Sequence, residues 1–202
     1  MSRGEAYSGT GRIEAFSDGV IAIVATIMVL ELQMPAQTFM TGEFITVFVE
    51  LAPDLSVYAL SFLLVSILLI NHQTLIRSAP HATTSLYWWN ANFLFWMALI
   101  PLSTSVYGKH PLTPLAAAFY GVVLFANMVG LGLLRRCIVR INATIAGADR
   151  NVDAALFRKD MIFSSAYALS VPLAYVSVYA SMAIFVIVPA AYFLPDFAPG
   201  RR

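Results

Sequence analysis

The chain alternates long apolar runs with short polar interruptions. A membrane-crossing helix needs roughly 20 residues, and the layout predicts six such spans at 16–34, 54–71, 87–107, 115–134, 161–178 and 180–195. The last two come from one stretch, 161–197, in which Asp196 is the only charged residue. A single helix over that stretch would be about 55 Å long, nearly twice the ~30 Å hydrocarbon core, so two short spans with a turn in 177–181 are expected. Residues 1–11 carry three glycines and no apolar period, which predicts a short mobile tail. Between the first two spans, FITVFVEL at 44–51 is expected to form a short interfacial helix, and Pro53 to open the second span. Asn71, His72, Gln73, Arg77 and His81 are expected in the next connection, and Pro101, Pro172 and Pro189 predict kinks. Arg135, Arg136 and Arg140 are expected to stop the fourth span, and 141–160 reads as a polar loop or short cytosolic helix.

Charge sets the orientation. With six spans and a cytosolic amino terminus, every Lys and Arg except Lys109 falls on the inner side, as the positive-inside rule demands. Both termini are then cytosolic. A hydrophobic content of 59% with 11% charged residues and a mean hydropathy of +0.77 describe an all-α integral membrane protein, with no room for a sizeable soluble domain. No basic stripe with interleaved aromatics suggests nucleic acid. The one cysteine, Cys137, excludes an intrachain disulfide and a thiolate metal cluster. No glycine-rich phosphate loop and no His-Glu-x-x-His is present, so no enzyme chemistry and no cofactor are expected. The first apolar run contains Asp18 and exceeds a signal-peptide core, so it is expected to stay in the mature protein.

That first run, RIEAFSDGVIAIVATIMVLE at 12–31, carries most of the chemistry. At 100° per residue, Phe16, Gly19, Thr26, Ile27 and Leu30 lie within about 60° of Ile23, while Asp18 points about 140° away. Such a stripe serves equally as core, as lipid contact, or as the lining of a symmetric bundle's axis, and periodicity does not choose among them. Asp18 and Ser17 near the start of the span fit helix capping; they also fit bracing against Arg12 or His72. An ionisable group at membrane depth is a functional hypothesis by default.

Arg12-x-x-x-Phe16-Ser17-Asp18-Gly19, followed by Ala22-Ile23 and an apolar helix, resembles the first-helix signature of the transmembrane protein 175 family of lysosomal and bacterial potassium channels. The six-span layout, His72 after the second span, and Trp89-Asn90-x-Asn92 opening the third support the resemblance. It implies a homotetramer in the bacterial cell membrane, a pore lined by the first helix, and potassium conducted over sodium without a Thr-Val-Gly-Tyr-Gly filter, a motif absent here. Carried over by position, Ile23, Ile27 and Leu30 become apolar constrictions, and Thr26 supplies the side-chain oxygens nearest a permeant potassium ion. Arg12, Phe16, Ser17, Asp18, His72, Trp89, Asn90 and Asn92 become the network that holds the helix. Two other readings stand beside this one: a proton-coupled secondary transporter with Asp18 and His72 as titratable relay, and a scaffold that only packs helices.

Overall fold

The computed structural model describes residues 3–32, 44–143 and 150–191. Among these the chain is all helical: α1 (Arg3–Leu30), α2 (Phe44–Arg77), α3 (Thr84–Ala98), α4 (Ile100–Lys109), α5 (Pro114–Asn142), α6 (Arg150–Val176) and α7 (Val178–Ala191). Gly9–Leu30, Leu51–Arg77 and Pro114–Asn142 are long and apolar enough to cross a membrane.

Several helices outrun their sequence-based limits. α1 starts at Arg3, so helix replaces the expected tail. Gly9 sits inside it, so close to the α2–α3 connection that a Cβ there would come within 2.7 Å of Ala82 Cβ. Asp18 is consequently mid-helix, which removes the capping reading. Pro53 lies within α2, which joins the expected interfacial segment to the second span; a proline forfeits one ladder bond there and the helix continues around it. α2 also runs on to Arg77, because Leu75 and Ile76 are buried and Asn71 Nδ2 donates to the Ile67 carbonyl at 2.6 Å. His72 and Gln73 are therefore helical residues and not part of a connection. α5 likewise continues through Arg135, Arg136 and Arg140 to Asn142. Met34, Pro35, Glu43, Asp149, Arg201 and Arg202 lie outside the described residues.

Pro101 divides the third apolar run. Its missing N–H and its ring break the ladder, so α3 ends at Ala98 and α4 begins at Ile100 with Pro101 in its first turn. Asn127 of α5 donates to the Trp96 carbonyl at 3.0 Å, satisfying backbone polarity at the break. Past Ser177 the chain doubles back. Ser181 Oγ donates to the Ser170 carbonyl at 2.7 Å, whereas eleven residues of straight helix would hold them about 16 Å apart.

α5 is the post of the protomer, packed on α3, α4 and α6, while α1 packs on α2, α3 and α4. Glycines set two of the α5 contacts. A Cβ at Gly121 would sit 2.6 Å from Ser170 Oγ, and one at Gly130 would sit 3.3 Å from Phe93 Cα. Around them the core closes on Tyr107, Tyr120 and Phe185, whose ring centroids are 4.9–5.5 Å apart, with the Tyr120 hydroxyl 2.8 Å from Ser61 Oγ. Arg77 ends α2 and Arg135, Arg136 and Arg140 lie near the end of α5 at one end of the bundle, whereas Lys109 ends α4 at the other. At the first end the start of α1 meets the α2–α3 connection, Cys137 Sγ of α5 donates to Ser85 Oγ of α3 at 3.6 Å, and Arg135 pairs with Asp160 of α6 at 2.5 Å. At the other end Gly108 lies against Asp54.

Candidate functional site

α1 has two unlike faces. Ile13, Ser17, Ile21, Val24 and Met28 recur at helical spacing and are buried in the protomer. Rotated away from them, Arg12, Ala15, Phe16, Gly19, Ala22, Ile23, Thr26, Ile27 and Leu30 are exposed. Phe16, Ile23, Ile27 and Leu30 remain 63%, 57%, 42% and 77% exposed, far more than apolar side chains show in a core. The stripe derived from 100° spacing is thus the one the protomer leaves bare.

The buried face is fastened by amides. Asn90 of α3 donates from Nδ2 to Ser17 Oγ at 2.9 Å, and its Oδ1 accepts from His72 Nε2 at 2.6 Å. This pattern assigns the His72 ring proton to Nε2. Ser17 Oγ completes its bonding with the Ile13 carbonyl at 2.8 Å. The His72 ring lies flat on Phe93, centroids 5.1 Å apart, so α1, α2 and α3 meet at one polar knot inside an apolar shell, in which His72 Nδ1 alone is buried without a partner. Leaving any member of such a knot without a partner costs about 1–3 kcal/mol.

Asp18 takes neither of its expected partners. Its Oδ1 accepts from Gln73 Nε2 at 3.1 Å, one residue beyond His72 on α2. Arg12 is exposed at the mouth of a groove with Phe16, Tyr87 and Trp88. The ion pair between α1 and α2 joins Glu14 to Arg77 at 2.6 Å. Asn92 sits apart from the Asn90 knot, beside Gly130 of α5, and Trp89 lines a second groove with Arg136 and Arg140. Gln73, Glu14 and Asn127 were not singled out from sequence. A lone amide in an apolar run marks Asn127, whereas Gln73 becomes visible only once α2 is carried past its apolar stretch.

Thr26 Oγ1 lies 3.0 Å from the Ala22 carbonyl and 2.9 Å from the Ile23 carbonyl of its own helix. Its one proton is thereby used by the backbone, and the oxygen's lone pairs are left toward the exposed side. Among the described residues no three His, Cys, Asp or Glu side chains gather as a metal site.

Residues 12–101 match the family model described as "Endosomal/lysosomal potassium channel TMEM175". A potassium channel of Chryseobacterium sp. is 30% identical over 188 residues, covering 92% of this chain and 93% of the relative. One from Chamaesiphon minutus is 27% identical over 191 residues, covering 92% and 94%. The crystal structure of a lysosomal potassium-selective channel TMEM175 homolog from Chamaesiphon minutus superposes with a TM-score of 0.81 at 25% identity, covering 94% of this chain and 98% of that one. With near-complete coverage in both directions, and with the Arg12 to Ile23 signature inside the matched segment, this chain belongs to the TMEM175 family.

Proposed function

We propose that this chain is a potassium channel of the cell membrane, weakly selective over sodium, formed by four copies with α1 of each on the axis. Six spans and two cytosolic termini per copy complete the arrangement. The observation that carries the reading is the bare apolar stripe of α1, set on a helix whose opposite face is locked down by the Ser17–Asn90–His72 knot. A helix fastened that firmly on one side and left apolar on the other is suited to meeting copies of itself around an axis.

In that assembly Ile23, Ile27 and Leu30 form successive rings spaced about 6 and 4.5 Å along the axis. Aliphatic rings cannot replace an ion's hydration shell, so a narrow set of them closes the path by dewetting. Ile23 is the principal gate. Thr26 lies between the Ile23 and Ile27 rings, and with its proton engaged by the helix backbone it offers oxygen lone pairs to a passing cation. Potassium holds its water less tightly than sodium, so partial dehydration at the Thr26 ring favours it. The ion is the permeant cargo, and no cofactor takes part.

The proton-coupled transporter reading needs Asp18 and His72 to exchange a proton. They are held by different partners, Asp18 by Gln73 and His72 by Asn90, which gives the relay no support. The test is potassium and sodium flux into liposomes. Ile23→Ala is expected to raise potassium flux and Thr26→Ala to lower the potassium-to-sodium ratio; flux and ratio unchanged in both variants would defeat the proposal.

A further inference from the structure

The bare stripe of α1 does not stop at Phe16. At 100° per residue Arg12 lies about 20° from Ile23, so it stands on the same edge, about 16 Å nearer the amino terminus. Arg12 is exposed, and among the described residues no acid lies within ion-pair distance of it. The next two acids along the helix are turned to α2 and held there, Glu14 by Arg77 at 2.6 Å and Asp18 by Gln73 at 3.1 Å. Residues 1–12 hold Arg3 and Arg12 against Glu5 alone. The stripe therefore begins at a guanidinium that no described side chain of the protomer pairs.

The far end carries the opposite sign. Residues 31–54 hold Glu31, Glu43, Glu50 and Asp54 and no Lys or Arg. From Arg12 to Leu30 is about 27 Å of helix, close to the ~30 Å hydrocarbon core, so the basic and acidic segments stand at opposite membrane faces.

We propose that Arg12 makes the channel inwardly rectifying. The inference rests on the reading of α1 as the axis helix with a cytosolic amino terminus: four copies then place four guanidiniums around the inner mouth. A charged ring at an opening sets the local concentration of the ions that enter there. Potassium is depleted at the Arg12 ring, so outward current is starved of its carrier, while inward current is drawn from an acidic outer face. The ring lies about 16 Å from Ile23, so it acts on ion supply and not on coordination at Thr26. Four unit charges about 10 Å from the axis deplete a monovalent cation about fivefold in about 20 mM salt, and hardly at all in about 1 M salt, where the screening length is ~3 Å.

The test uses the 202-residue protein in excised membrane patches, with equal KCl on both sides, no divalent cation, and sorbitol to hold osmolarity. In about 20 mM KCl, inward current is expected to exceed outward current at least about twofold at equal and opposite voltages, and in about 1 M KCl the two are expected to match. Arg12→Gln should abolish the asymmetry in dilute salt by raising outward current, and Arg12→Lys should keep it. The charge can also be set after assembly. Arg12→Cys in a Cys137→Ser background, treated from the cytosolic side, should gain the asymmetry with a cationic methanethiosulfonate and reverse it with an anionic one. Straight current–voltage relations in dilute salt, with potassium current intact, overturn this proposal alone. So does an asymmetry that persists in concentrated salt, in Arg12→Gln, or whatever the sign of the thiol reagent. Patches that pass no potassium overturn the channel reading and this proposal with it.

Discussion

α1 and α5 are both long, apolar, membrane-length helices, yet the protomer buries 28% of the apolar window of one and 61% of the other. Hydropathy does not tell them apart. Their glycines do. On α5, Gly121 and Gly130 sit where a Cβ would strike a neighbouring helix, so they exist to bring helices together inside one copy. On α1, Gly11 and Gly19 face open space. Gly9 of α1, close against Ala82, and Gly132 of α5, facing open space, fall the other way. α5 is mostly packed within the chain, whereas α1 leaves Phe16, Ile23, Ile27 and Leu30 exposed.

This contrast is open to direct attack. Gly19→Leu adds bulk where the protomer has room, so helicity and thermal stability should hold while potassium flux in liposomes falls to background. Gly121→Leu should do the reverse, unfolding the protomer itself at a cost of about 1–3 kcal/mol or more, read as a lower melting temperature in detergent. Next in size, Ile23→Ala should raise potassium flux by on the order of tenfold, equivalent to about 1.4 kcal/mol of barrier. Asn90→Ala leaves Ser17 and His72 without their shared partner, and should cost about 1–3 kcal/mol of stability; Asn90→Asp, which keeps an acceptor for His72, should recover part of it. Smallest is Arg77→Ala. With Arg77 66% exposed, its pair with Glu14 should contribute under about 1 kcal/mol, and the loss should shrink further in high salt.

How far the sequence reveals this molecule depends on which force places each residue. The α1 stripe was legible because helical spacing alone fixes which side chains share a face: Phe16, Ile23, Ile27 and Leu30 are aligned by geometry before any packing occurs. Family membership was legible from the Arg12 to Ile23 signature. Helix ends were not, because they are set by tertiary contacts that composition does not carry. Arg135, Arg136 and Arg140 look like a stop signal, but they continue α5 because one of them is paired across to α6. Asp18 illustrates the same limit. Its charge pointed to Arg12 or His72, yet the partner is Gln73, an uncharged residue that reaches it only because α2 stays helical past Ile70. The family resemblance grouped Asn92 with Asn90 in one network, and the helix turns it toward α5 instead.

The central claim is that the bare edges of α1 from separate copies face one another across an axis. Ile23→Cys in a Cys137→Ser background leaves one thiol per chain, placed on that edge. In liposomes, mild oxidation should link copies into covalent dimers, and a water-soluble thiol reagent should block potassium flux. Thiols that never cross-link, and that react only with a lipid-soluble reagent while flux continues, would contradict it.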